Sequence, residues 1–236
     1  MKLVAFGDSF TAGDREGVNY VDQSYVAKLC AVKNSRFDSW ENHARGGYSN
    51  VQIAFSVYKY LQENKHDLTD KFFLIGWTSY ARYSTANVRH EDTKKNYTPH
   101  DAYEFTSEPS RYPLSTNLLI YETDTKIWAT NTLLRKFNVP FAMIQAFDDH
   151  SSHPWSTIQN VPGWINGDRH ANTLMHIIAQ HYLDESFERL PPNSQHFESG
   201  WIHRIKPNQY MAPCWHPNQL GHELIAHTLH PYLEQF

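Results

Sequence analysis

Two short stretches at opposite ends of the chain carry residue types that together could open an acyl bond. They are Gly7-Asp8-Ser9 near the start and Trp215-His216-Pro217-Asn218 near the finish. A serine hydroxyl becomes a nucleophile when an imidazole within hydrogen-bond reach takes its proton, and backbone N–H groups hold the oxyanion that follows. Ser9 comes directly after Lys2 to Phe6, a short apolar run that reads as a strand ending in a turn. In a parallel sheet, ligands bind beyond the carboxyl ends of the strands, so Ser9 is presented where a substrate would sit. Gly7 permits a tight turn, and Ser9 opens the next segment, where N–H groups are available to an anion. Taken alone, the triplet is better explained as a serine that caps a helix. His216 stands just before Pro217, a residue suited to the first turn of a closing helix from Pro217 to Phe236. Leu220, Leu224, Ile225 and Leu229 should form that helix's buried face. The two ends together are far more specific than either one.

These residues need a scaffold, and the hydrophobic pattern supplies one. Helical spacing is expected over Tyr20 to Val32 and over Asn50 to Glu63, the latter with Val51, Ala54, Val57, Tyr58 and Leu61 on one face. Further helices are expected over Ser115 to Phe137 and Asp168 to Leu183. Phe37 to Asn42 suits a short strand, while Lys71 to Trp77 and Phe141 to Phe147 are continuous apolar runs of the kind found in buried parallel strands. Strands alternating with helices predict a parallel sheet covered on both faces, in one domain spanning 1–236. Residues 81–112, 150–164 and 191–213 lack such periodicity. They are expected to form long loops over the carboxyl edge of the sheet.

Composition narrows the function classes. A net charge of −4 with no long basic block leaves no electrostatic footprint for nucleic acid. No apolar stretch approaches the roughly 20 residues of a membrane-spanning helix. The apolar run at the start is too short for a signal peptide, so a cytoplasmic protein, or one delivered without such a signal, is expected. Two cysteines, Cys30 and Cys214, do not make a disulfide framework. The 15 His, 14 Tyr and 7 Trp suit a groove for polar, sugar-like ligands, although aromatic residues more commonly fill a core.

The blocks resemble those of the SGNH (GDSL) hydrolase family over nearly the whole length of the chain. The resemblance implies a flavodoxin-like three-layer α/β/α sandwich, an esterase activity and no metal or organic cofactor. Gly7 to Gly13 is similar to the family's first block, which implies Ser9 as nucleophile and its N–H as an oxyanion donor. Asn42 to Asn50 is similar to the second block, which implies the Gly47 N–H as another donor. Ile75-Gly76-Trp77-Thr78-Ser79 falls where the third block is expected, and His216 matches the base of the last.

The chain departs from that pattern twice. The third block's Asn is Thr78 here, followed by Ser79, so a hydroxyl would have to replace an amide donor. The family's Asp three residues before the His is Pro213, which has no side chain able to orient an imidazole. A backbone carbonyl near Pro213 could hold His216, giving a Ser–His dyad. Alternatively a carboxylate arrives from elsewhere, with Asp148 and Asp149 as candidates that are otherwise ordinary loop residues. Asp8 is expected to pin the nucleophile loop by accepting N–H bonds, and Asn50 to support the second block. Arg45 and Arg82 are surface or salt-bridged residues that could also meet an anionic substrate. His222, His227 and His230 are expected to serve packing and capping in the last helix.

The leading expectation is therefore hydrolysis of a small-molecule or carbohydrate ester, with no nucleic-acid or membrane partner. An acyltransferase, a non-catalytic binding protein on the same fold, and a metal-dependent hydrolase around Asp148, Asp149, His150 and His153 remain open alternatives. Oligomeric state is not written in these residues.

Overall fold

The computed structural model describes residues 1–15, 18–80, 116–146, 156–158, 161–165, 173–175, 177–178, 209–212 and 216–236. Its layers follow from the alternation of side chains along two strands. In β1 (Lys2–Phe6), Leu3 and Ala5 point into one apolar cluster while Val4 and Phe6 point into another. The strand β5 (Lys71–Trp77) divides in the same way, with Phe72 and Leu74 on one side and Phe73, Ile75 and Trp77 on the other. Strands loaded on both faces must be covered on both faces, which is why these runs are apolar throughout.

Between them in the chain come a short antiparallel pair, β2 (Asp14–Arg15) with β3 (Val18–Asn19), and then β4 (Ser39–Asn42). The main sheet has the order β4-β1-β5-β6, where β6 is Phe141–Gln145, and every pairing is parallel. Its four strands thus lie in the order second, first, third, fourth, the flavodoxin-like arrangement. The chain's direction of winding reverses between β1 and β5, and such a switch point opens a crevice at the carboxyl ends of those two strands. Helices α2 (Tyr25–Ala31) and α5 (Gln219–Leu233) cover one face of the sheet. Helices α3 (Asn50–Glu63) and α4 (Thr116–Lys136) cover the other. The one-turn helix α1 (Ser9–Ala12) stands at the end of β1.

Several boundaries and faces differ from the sequence expectation. The segment at Tyr20 is not yet α-helical: a 3₁₀ turn covers Val21–Gln23, and Ser24 then caps α2 by accepting the Ala27 N–H. The buried stripe of α3 is Ile53, Val57, Tyr60 and Leu61, whereas Val51 and Tyr58 are exposed. The two stripes share Val57 and Leu61; the branched Ile53 and the Tyr60 ring, whose hydroxyl reaches Glu41, decide which of them turns inward. The last helix begins at Gln219 instead of Pro217, because the Asn218 side chain caps it by accepting the Gly221 N–H at 3.1 Å. Pro217 instead forms an antiparallel bridge with Met211. That start leaves Leu220 51% exposed, while Ile225, Ala226, Leu229 and Leu233 enter the core. Of the helix expected over Asp168 to Leu183, the described Leu174, Met175, Ile177 and Ile178 are all buried. The long segments 81–112 and 191–208 lie outside the described residues.

Candidate active site

Ser9 is the first residue of α1, so its N–H has no partner within the helix. The residue before it secures this turn. Asp8 is fully buried, and its Oδ1 accepts the Phe10 N–H at 3.0 Å while its Oδ2 accepts the Thr78 hydroxyl at 2.7 Å. One carboxylate therefore caps α1 and ties the end of β1 to the end of β5. Behind the turn, the Thr11 and Tyr25 hydroxyls share a hydrogen bond of 3.0 Å, and burial pushes the Tyr25 phenol well above its usual range.

The segment after β4 runs along the mouth of β1. The Arg45 N–H donates to the Gly7 carbonyl at 3.1 Å. The Asn42 side chain donates to the Thr11 carbonyl at 2.7 Å and accepts the Ala44 N–H at 3.1 Å. Gly47 follows with φ of 76°, a left-handed conformation that suits glycine. Among the described residues, neither the Ser9 nor the Gly47 N–H donates to a protein acceptor, so both are available to an oxygen placed between them.

Thr78 is wired differently from the expectation that it serves the oxyanion hole. Its only hydroxyl proton goes to Asp8, its N–H donates to Asn50 Oδ1 at 2.9 Å, and its carbonyl accepts from Asn50 and Gln145, each at 3.1 Å. With its proton on a buried carboxylate, the Thr78 hydroxyl braces the end of β5 to the end of β1. Ser79 follows it, 7% exposed, with its carbonyl accepting from Asn50 at 3.4 Å. Asn50, the first residue of α3, also reaches the Thr123 hydroxyl of α4 at 3.4 Å. It thereby fastens two helices and a strand end at one point.

His216 arrives from the far end of the chain and lays its ring 5.7 Å from that of Phe10, the residue next to Ser9. Its carbonyl accepts the Ala212 N–H at 2.9 Å, and the Asn218 N–H donates to the Tyr210 carbonyl at 2.9 Å, so His216 sits on a short paired segment just ahead of α5. Helix α5 docks on α2 through Lys28–Glu223 at 2.8 Å and through the Tyr25 N–H donating to His222 Nδ1 at 3.2 Å. Among the described residues the Ser9 hydroxyl makes no hydrogen bond, His216 included. Catalytic contacts are commonly long before substrate is bound. Pro213, Arg82, Asp148, Asp149, His150 and His153 lie outside the described residues.

Three site residues escape the sequence reading. Gln145 at the end of β6 and Asn42 at the end of β4 support the strand ends described above. Asp14 is the third: burial pushes its carboxyl above the usual carboxylate range, the Gly46 N–H and His216 pull it back, and Asp8 adds to the rise. Its position one residue beyond the first block is the signal that could have found it.

No family model matches the chain, and no curated protein does. Solved structures do. The psychrotrophic esterase EstA from Pseudoalteromonas sp. superposes with a TM-score of 0.51 at 11% identity, over 99% of this chain and 97% of that one. The chain has the SGNH-hydrolase fold. Lower scores are found for TesA, at 0.48 with 11% identity over 100% and 99% of the two chains, and for the acetyl xylan esterase AlAXEase, at 0.45 with 12% identity over 97% and 98%. These two carry no argument here, and at such identities the SGNH likeness is one of fold alone.

Proposed function

We propose that the protein is a serine esterase in which Ser9 attacks the ester carbonyl and His216 serves as general base and acid. One observation carries the reading. At the switch point of the sheet, a serine opens a helix, its hydroxyl and the Ser9 and Gly47 N–H groups make no hydrogen bond among the described residues, and an imidazole lies against the next residue. His216 takes the Ser9 proton as Oγ bonds to the carbonyl carbon. The N–H groups of Ser9 and Gly47 receive the resulting oxyanion. Collapse expels the alcohol, which leaves with the proton from His216, and an acyl-enzyme remains. Water gives a proton to His216, adds to the acyl carbon, and releases the carboxylic acid as Ser9 recovers its proton.

The aromatic and histidine-rich composition favours a small acyl group on a carbohydrate or similar polyol as substrate. With Thr78 engaged by Asp8, the hole rests on two backbone donors. Loss of one donor of this kind costs roughly 10²- to 10³-fold in kcat, so a slow esterase is expected.

The test is p-nitrophenyl acetate turnover by wild type, Ser9→Ala and His216→Ala, with and without chelator, beside mass-spectrometric detection of a phosphonate adduct. EstA has been captured with monoethylphosphonate, which makes such a probe apt. Turnover by wild type alone, indifferent to chelator, with the adduct on Ser9, is the expected result. Equal turnover by all three proteins, or an adduct elsewhere, would sink the proposal.

A further inference from the structure

The two acidic residues that flank α1 are placed for different work. Asp8 is fully buried, and its two oxygens accept the Phe10 N–H and the Thr78 hydroxyl. Asp14 is partly exposed, and among the described residues no Lys or Arg pairs with it. It follows Gly13, the left-handed cap that ends α1, and it opens the β2–β3 pair. The Tyr20 N–H closes that pair by donating to the Gly13 carbonyl at 3.2 Å, so Asp14 stands on a braced segment.

Gly46 sets how close this carboxylate comes to Ser9. A β-carbon placed on Gly46 would stand 2.5 Å from Asp14 Oδ2 and 3.8 Å from the Ser9 β-carbon. The carboxylate thus occupies the space that a side chain at Gly46 would need, with the Ser9 side chain bordering the same position. Gly47, whose N–H makes no hydrogen bond among the described residues, comes next in the chain. An ionised carboxylate has lone pairs for about four hydrogen bonds. The backbone donor acting on Asp14 is the Gly46 N–H, so acceptor capacity is left over beside the atoms that would meet an ester.

We propose that Asp14 is a specificity-determining residue, which accepts a hydrogen bond from a free hydroxyl vicinal to the ester on the alcohol part of the substrate. The inference rests on the esterase reading and names its substrate class, the partial esters of a polyol. The acyl group of that reading is small and carries no donor, so the donor belongs to the alcohol. A vicinal hydroxyl lies close enough to the ester carbon to meet a carboxylate that shares one backbone position with Ser9. Hydrogen bonds to a charged acceptor are stronger than those between neutral partners. An alcohol without a donor would take water from the carboxylate and give nothing back. An alcohol with its own negative charge at that place would also be repelled.

The experiment measures kcat/KM by acid release for 2-hydroxyethyl acetate, 2-methoxyethyl acetate and the O-acetylglycolate anion, with wild type, Asp14→Asn and Asp14→Ala. Esters are compared as ratios within each protein, so a loss of folded material cancels, and either variant serves if the other fails to fold. Wild type should favour the hydroxyl over the methoxy ester by about 10-fold or more, the scale of one hydrogen bond to a charged group. It should disfavour the anion further. In either variant the hydroxyl preference should shrink to about three-fold or less, and the penalty on the anion should narrow. Unchanged ratios, with all three esters slowed alike, would mean a purely structural role and would overturn the proposal. So would a wild type indifferent to the hydroxyl. A readout without turnover keeps the two readings apart: the Gly46 amide of Ser9→Ala, followed by NMR as each ester is added. It decides the matter if wild type cleaves none of the three. A Gly46 shift that needs the hydroxyl and vanishes when Asp14→Asn is added keeps the subsite, and the esterase reading alone falls. Equal shifts with the hydroxyl and methoxy esters, or none with either, overturn the subsite as well.

Discussion

The serine side and the histidine side of the site are held by different kinds of force. Around Ser9, position comes from buried polar bonds: Asp8 to Phe10 and Thr78, Asn42 to Thr11 and Ala44, and Asn50 to Thr78, Ser79 and Thr123. Such bonds are directional and leave little freedom once all their partners are satisfied. Around His216, position comes mainly from a helix that buries Ile225, Ala226, Leu229 and Leu233 against the α2 side of the sheet, helped by the Lys28–Glu223 ion pair, the Tyr25 bond to His222 and the backbone bonds of the segment before it. Apolar burial is strong and non-directional. The serine is therefore fixed in orientation, while the histidine is fixed in place by bulk.

The difference can be broken from either side. The largest effect on stability should come from Leu229→Ala, which empties a fully buried site in α5 and should cost about 2–5 kcal/mol. Urea denaturation reads that loss, and the activity per folded molecule should stay within a few-fold of wild type. An equal loss of activity would show that the helix sets geometry as well as stability. Next comes Asp8→Ala, which removes a cap and strands the Thr78 hydroxyl; it should cost about 1–3 kcal/mol. Unlike the core change, it should also lower kcat steeply, because Ser9 opens the helix that Asp8 caps. Normal kcat in this variant would contradict an orientation built on polar bonds. The smallest effect is expected for Lys28→Ala, which deletes the ion pair to Glu223 at the α2–α5 contact. Below about 1 kcal/mol in stability and no change in pH profile are expected, since exposed pairs contribute little. A larger loss would mean that charge, and not burial, docks α5.

How much of this was legible in the sequence depended on how local each signal was. The strands β1 and β5 could be read because strands loaded on both faces are written as unbroken apolar runs. Ser9, the glycine-rich second block and His216 stand out as candidates because each sits in a compact motif. The inward face of α3 could not, since two overlapping apolar stripes compete and only the neighbouring sheet selects Ile53 over Val51. The last helix was placed two residues early because Pro217 is a favourable first residue, and the stronger side-chain cap of Asn218 decided otherwise. The engagement of Thr78 is not legible for a different reason. Its hydroxyl partner is Asp8, 70 residues away, and no spacing rule reports such a bond.

The route by which His216 reaches Phe10 has a consequence for the birth of the molecule. Chains emerge from synthesis N-terminus first, at about 5–20 residues per second, and the early parts begin to fold on the way. Ser9, Asp8, the second block and β5 are all made long before the segment that carries His216 and α5. Until that segment appears, Ser9 stands without His216, and Val26 and Leu29 of α2 have no helix α5 to cover them. The same closing stretch thus shields the apolar flank of the young chain and completes the candidate site, so the site and protection from aggregation arrive together.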